Sequence, residues 1–196
     1  DDTLNFGSLT FNSAGAVVIA EDTATVLSGT STAASLDLDS TGTITDDGTM
    51  DLTVTGNADF AGTSITLDDT LNFGSLTFNS AGAVVIAEDD ATTVSGASTA
   101  GAGLTLVSAD DVNLNNTVNV TGNTSVTAGT TTGGIDVNAK LTGSGTILLD
   151  AADEITVDAA IDPTTVTLEA DDDITINAAV SATTLITVSA GQDGTG

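Results

Sequence analysis

The sequence predicts an all-β protein: a parallel β-solenoid of about nine three-strand coils, of roughly 19–23 residues per coil, continuous as a single domain over positions 1–196. Three observations predict it. The first is a duplication: Asp1–Asp22 reads DDTLNFGSLTFNSAGAVVIAED, and Asp68–Asp89 repeats it letter for letter, 67 positions later. An identity of this length inside one chain marks a copied repeat unit. The second is a finer period. Ile135-Asp136-Val137-Asn138, Ile155-Thr156-Val157-Asp158 and Ile174-Thr175-Ile176-Asn177 follow one another 20 and then 19 positions apart. The third is alternation: the apolar runs are short, have period two and are rich in Val, Ile and Thr, which favours strands over helices.

In the C-terminal part each coil is predicted to hold three strands. The first is the apolar-x-apolar motif just named, with Val112-Asn113-Leu114-Asn115 as its earlier member. The second is brief, around Leu141, Ile161 and Val180; the third contains Leu149, Leu168 and Val188. Stacking places Ile135 under Ile155 under Ile174, in a column thin enough to suit the many Ala and Gly residues. Upstream, Leu71–Phe73, Leu76–Phe78 and Val84–Ile86 make one coil; Thr92–Val94 and Leu104–Leu106 belong to the next. On this basis the duplication of 1–67 in 68–134 is expected to span three coils of about 22 residues, followed by shorter coils over 135–196. Asp46-Asp47-Gly48 is expected at a turn, and Pro163 between strands, where its missing N–H costs nothing. The crossover rule favours a right-handed path. A single coil cannot bury its apolar side, so stability comes from its neighbours, and open ends need a cap or another copy. The chain lacks an initial Met and both ends fall in mid-pattern, so an excerpt of a longer repeat protein is expected.

Composition narrows the function. There are 28 acidic residues and one basic residue, Lys140, for a net charge of −27. Nucleic acid and anionic lipid are poor partners for such a surface. No run is long and apolar enough to predict membrane insertion. Without His, Cys or Arg, the usual bases, nucleophiles and anion clamps are missing, and no enzyme is expected. Paired carboxylates can serve glycoside hydrolysis, but here the pairs recur along the chain instead of converging on one irregular site. The absence of Cys leaves the redox compartment open.

The acidic turns are the most distinctive feature. Asp68-Asp69, Asp89-Asp90, Asp110-Asp111, Asp153-Glu154 and Asp171-Asp172-Asp173 recur at one point of successive coils, interrupted near Thr130–Gly134. In a stack they form a ladder. As a solvated face it keeps a rod soluble and discourages lateral aggregation. As a metal site it offers hard oxygen ligands for Ca²⁺ bridging adjacent turns, although neither the calcium-binding nonapeptide nor an EF-hand loop is present. A second ladder, Asn115, Asn138, Asp158 and Asn177, is expected to be structural, with Asx side chains bonding between coils and at turns.

The run ILLDAADEITVDAAIDPTTVTLEADDDITINAAVSATTLITV resembles the repeats of filamentous-haemagglutinin-type adhesins. The block DDTLNFGSLTFNSAGAVVIAED, with VTGNADFAGTSITL before it, is similar to repeats of giant bacterial surface proteins. The resemblance implies a parallel β-solenoid and an extracellular or cell-surface setting. The expected role is then a structural, non-catalytic rod segment of an adhesin or fibre, with neighbouring repeats or further copies as end-to-end partners and a host or matrix surface as an outside partner. The alternative is a binding module that takes Ca²⁺ or glycan along the acidic ladder.

Overall fold

The computed structural model describes residues 4–191; the first three residues of the duplicated block and residues 192–196 lie outside them. Among the described residues there are twenty-three strands and no helix, and every strand pairing is parallel. The strands stack into three faces, which the chain visits in the same order on each coil.

Face one carries β3 (Thr30–Ala33), the first part of β6 (Asp51–Gly62) and of β8 (Thr70–Ser80), then β10 (Thr92–Val94), β13 (Val112–Leu114), β16 (Ile135–Val137), β19 (Ile155–Val157) and β22 (Ile174–Ile176). Face two carries β1 (Ala16–Glu21), β4 (Ser35–Ser40), the second parts of β6 and β8, β11 (Ser98–Ala100), β14 (Val118–Val120), β17 (Leu141–Gly143) and β20 (Ile161–Asp162). Face three is a separate nine-stranded sheet: β2 (Thr25–Leu27), β5 (Thr43–Asp46), β7 (Ser64–Leu67), β9 (Val84–Glu88), β12 (Leu104–Ser108), β15 (Thr124–Ala128), β18 (Thr146–Ala151), β21 (Thr165–Ala170) and β23 (Leu185–Ser189).

The finer period is borne out. On face three the step from coil to coil ranges from 19 positions (Thr25 to Ile44) to 23 (Thr124 to Ile147). The longest step takes in the corner at residues 129–134. Ile135 stacks on Ile155 and Ile155 on Ile174, as the motif spacing predicts. Inward positions alternate with outward ones on every face, so Leu106, Val126, Leu149 and Leu168 form one dry column. Each such side chain is worth about 1.5–3 kcal/mol when fully buried. Phe60 stacks on Phe78 and meets Phe73 with ring centroids 5.8 Å apart, tilted by 56°.

The duplication is not three whole coils. In the first copy β1 (AVVIAE) lies on face two, paired with β4. In the second copy the same letters form β9 on face three, paired with β7 and β12. The upstream segments shift in the same sense. Asn12 bridges to Thr32 on face one, whereas its counterpart Asn79 pairs on face two. The mean step is near 20 positions, so the offset of 67 makes three coils and one further strand. The second copy is therefore turned by one face, a third of a turn, about the axis.

Candidate functional site

The acidic pairs do recur at one corner. Asp68-Asp69, Asp89-Asp90, Asp110-Asp111, Asp153-Glu154 and Asp171-Asp172-Asp173 follow β7, β9, β12, β18 and β21, where the chain turns from face three to face one. Most are exposed. The corner closes because the side chains accept backbone N–H groups that the turn leaves without strand partners. Asp111 Oδ1 accepts Gly134 N–H at 2.9 Å, Asp69 Oδ2 accepts Met50 N–H at 3.0 Å and Asp89 Oδ2 accepts Leu71 N–H at 3.3 Å.

The strongest case is a residue that the sequence pattern did not single out. Glu88, at the end of β9, is 3% exposed. Its Oε1 accepts the N–H of Phe73 at 2.7 Å and its Oε2 accepts the hydroxyl of Thr92 at 2.8 Å. The coil above β8 is shorter there, and the carboxylate stands where a strand carbonyl would otherwise pair. Burial pushes the Glu88 carboxyl up to about 7, against the two hydrogen bonds, with Asp90 and Asp89 adding to the rise. Glu21 makes the same two hydrogen bonds in the first copy, accepting Phe6 N–H at 2.9 Å and the hydroxyl of Thr25. The signal was available: Glu21 and Glu88 are the only residues of an otherwise uncharged, strand-forming stretch that combine an inward phase with a charge.

One group of three carboxylates converges. Among the described residues, Asp46, Asp68 and Asp69 place one carboxylate oxygen each within 4.8 Å of one another. Asp46, expected only to mark a turn, lies one coil before Asp68, and its Oδ2 accepts the N–H of Asp68 at 2.6 Å and of Asp69 at 3.2 Å. Burial raises its carboxyl above the ordinary value; the two N–H groups oppose this and the charges of Asp69 and Asp68 add to it. Asp111, Asp136, Asp153 and Glu154 line an acidic hollow of about 210 Å³ with Gly134. A third acidic group sits on face two. Asp37 pairs with Asp59 in register, and burial followed by the charges of Asp37 and Asp39 raises Asp59. Leu36-Asp37-Leu38-Asp39 encodes that patch by alternation alone.

The Asx ladder is structural. Asn138 Nδ2 donates to Asn115 Oδ1 at 2.9 Å and Asn177 Nδ2 to Asp158 Oδ1 at 2.7 Å, each bond joining consecutive coils. Similar polar rungs run along the outside of face two, where Thr99 donates to Asn79 at 3.1 Å and Thr142 to Asn119. What these surfaces can do is hold coil to coil and present carboxylates in register; their distribution is serial, with no unique cleft, among the described residues, at which acid and base groups meet. No family model matches the chain, and no curated protein or solved structure matches it.

Proposed function

We propose that the chain is a structural, non-catalytic rod segment of an extracellular adhesin or fibre, the role expected of filamentous-haemagglutinin-type repeats. The observation that supports this reading is the unbroken parallel stack of strands from β1 to β23, whose outward groups serve mainly to brace one coil against the next. Stacked strand hydrogen bonds give length and stiffness. Like charges about 5 Å apart along the acidic corner repel by roughly 1 kcal/mol per pair in water, which opposes lateral association. Immunogold labelling of intact source cells with an antibody against the rod tests the reading. Label on fibres outside the cell is expected; label confined to the interior overturns it.

A second reading rests on Asp46, Asp68 and Asp69, whose converging oxygens suit Ca²⁺. On this reading millimolar Ca²⁺, but not Mg²⁺, raises the melting temperature, and Asp46→Asn removes the effect. Equal melting with both ions sinks it.

A further inference from the structure

We propose that the outer side of face three binds an extended, uncharged β-1,4-linked glycan, laid along the rod in a shallow hollow over β9, β12, β15 and β18. Strand alternation sets the outward residues here in two columns. One steps in register from Thr66 to Val85, Thr105, Ser125, Leu148 and Thr167. The other, two residues earlier on each coil, holds Ser64, Ala83, Gly103, Asn123 and Thr146. Neither column holds a charged residue over these coils, in a chain of net charge −27. The other two faces do carry outward carboxylates: Asp37 and Asp59 on face two, Asp136 on face one.

Small residues make the hollow. Ala83 and Gly103 stand between Ser64 and Asn123 in their column, and the space beside them measures about 540 Å³, within the range of small-ligand sites. Val85 and Leu148 give it an aliphatic group on its first and last coils; Thr105, Ser125, Thr146 and Asn123 give it hydroxyls and an amide. These polar groups are unused. Among the described residues, the hydroxyls of Thr105, Ser125 and Thr146 make no hydrogen bond with the protein, and Asn123 uses only its Oδ1, which accepts the N–H of Thr146 at 3.0 Å. A second uncharged hollow, of about 400 Å³ on face two, differs on this point: Thr99 and Thr142, which line it, already donate to Asn79 and Asn119.

Chemistry, spacing and charge then select the ligand. Free hydroxyl and amide groups beside aliphatic side chains match a sugar chain, which offers hydroxyls at its ring edges and C–H groups on its ring faces. Val107, 39% exposed and one outward column over from Thr105, extends the aliphatic surface. Coils repeat at about 4.8 Å, close to the rise of one sugar in an extended β-1,4-linked chain, so each sugar meets the same pair of columns one coil further on. From Val85 to Leu148 is three such steps, about 14 Å, which about four sugars cover. The carboxylates of the acidic corner and of the other faces repel uronate or sulfate groups, and an uncharged chain meets no such repulsion. This site adds a ligand to the rod reading but rests on the fold alone.

The test uses the whole chain. Cellohexaose and chitohexaose are titrated into wild-type protein by calorimetry, with polygalacturonate as the anionic control, and amide shifts are followed by NMR. Binding of at least one neutral oligomer is expected, with the largest shifts in Thr105, Ser125 and their neighbours, and no binding of polygalacturonate. Thr105→Asp and Ser125→Asp should each weaken binding about tenfold or more, the worth of about one lost hydrogen bond. Thr121→Asp, in the hollow on face two, should leave it unchanged. Circular dichroism checks that the variants stay folded, and the wild-type titration and shifts need no variant. No binding of either neutral oligomer at millimolar concentration, shifts centred on another face, or tighter binding of polygalacturonate overturns the proposal. So does affinity that survives both Asp substitutions on face three. Absent binding with antibody label on extracellular fibres removes the glycan site and leaves the rod; binding with intracellular label does the reverse.

Discussion

The two copies of the duplicated block are a controlled experiment in what a neighbour contributes. Their local hydrogen bonds are the same. Asp22 N–H donates to Leu4 carbonyl as Asp89 does to Leu71; Ser28 donates to Leu9 as Ser95 does to Leu76. Glu21 holds Phe6 as Glu88 holds Phe73. Yet Thr70–Ser80 is one continuous strand, whereas of its counterpart only Leu9 and Asn12 make isolated bridges. Val85 is half-buried and Val18 is 74% exposed. The contacts within the block travel with its sequence. Strand pairing and burial do not, because they belong to the coil on which the block sits.

The largest expected effect that separates the copies is loss of a ring. Phe78→Ala should cost about 3–5 kcal/mol in urea unfolding, and Phe11→Ala about a third of that, since its ring is already partly wet. Equal costs would mean that the first copy is covered in solution.

Glu88 comes next. Its unfolded carboxyl titrates near 4.5 and its folded one near 7. Between these values the folded state holds the extra proton, so stability is highest below the lower value and falls as pH rises through the upper one. At most about 3 kcal/mol is involved. Glu88→Gln keeps the acceptor for Phe73 and removes the ionisation. Its melting temperature should match the wild type at about pH 4 and exceed it increasingly towards about pH 8. A constant difference across that range would contradict the assignment.

A glycine pair separates the copies on steric grounds. A Cβ on Gly74 would lie 2.3 Å from the carbonyl oxygen of Thr55, while one on Gly7 would meet nothing within 4 Å. Gly74→Ala should therefore destabilise by about 1–3 kcal/mol, and Gly7→Ala should be nearly silent; a silent Gly74→Ala would show that β6 and β8 can separate freely.

The smallest effect carries the opposite sign. Thr124 is 2% exposed in a column otherwise filled by Val, Leu and Ile, and its hydroxyl has no partner. Thr124→Val should stabilise by about 1 kcal/mol, whereas Thr92→Val, which strips Glu88 of a donor, should destabilise. Urea midpoints of the two variants, measured side by side, check the opposed signs.

By itself the sequence determined the coil. Alternation decided which side chains point inward, and the spacing of Ile135, Ile155 and Ile174 decided what stacks on what, because a parallel stack repeats its register at each turn. It also placed the acidic pairs at one corner and the Asx residues in a ladder. It did not disclose that Asp46 joins Asp68 and Asp69, or that Glu88 replaces a strand carbonyl, because both depend on the local length of the coil above or below. Nor did it disclose the turn between copies. A duplication at an offset of 67 positions reads equally well as three longer coils or as three shorter ones and a third of another. Only the closed stack, in which every corner must return the chain over the strand beneath, decides between them.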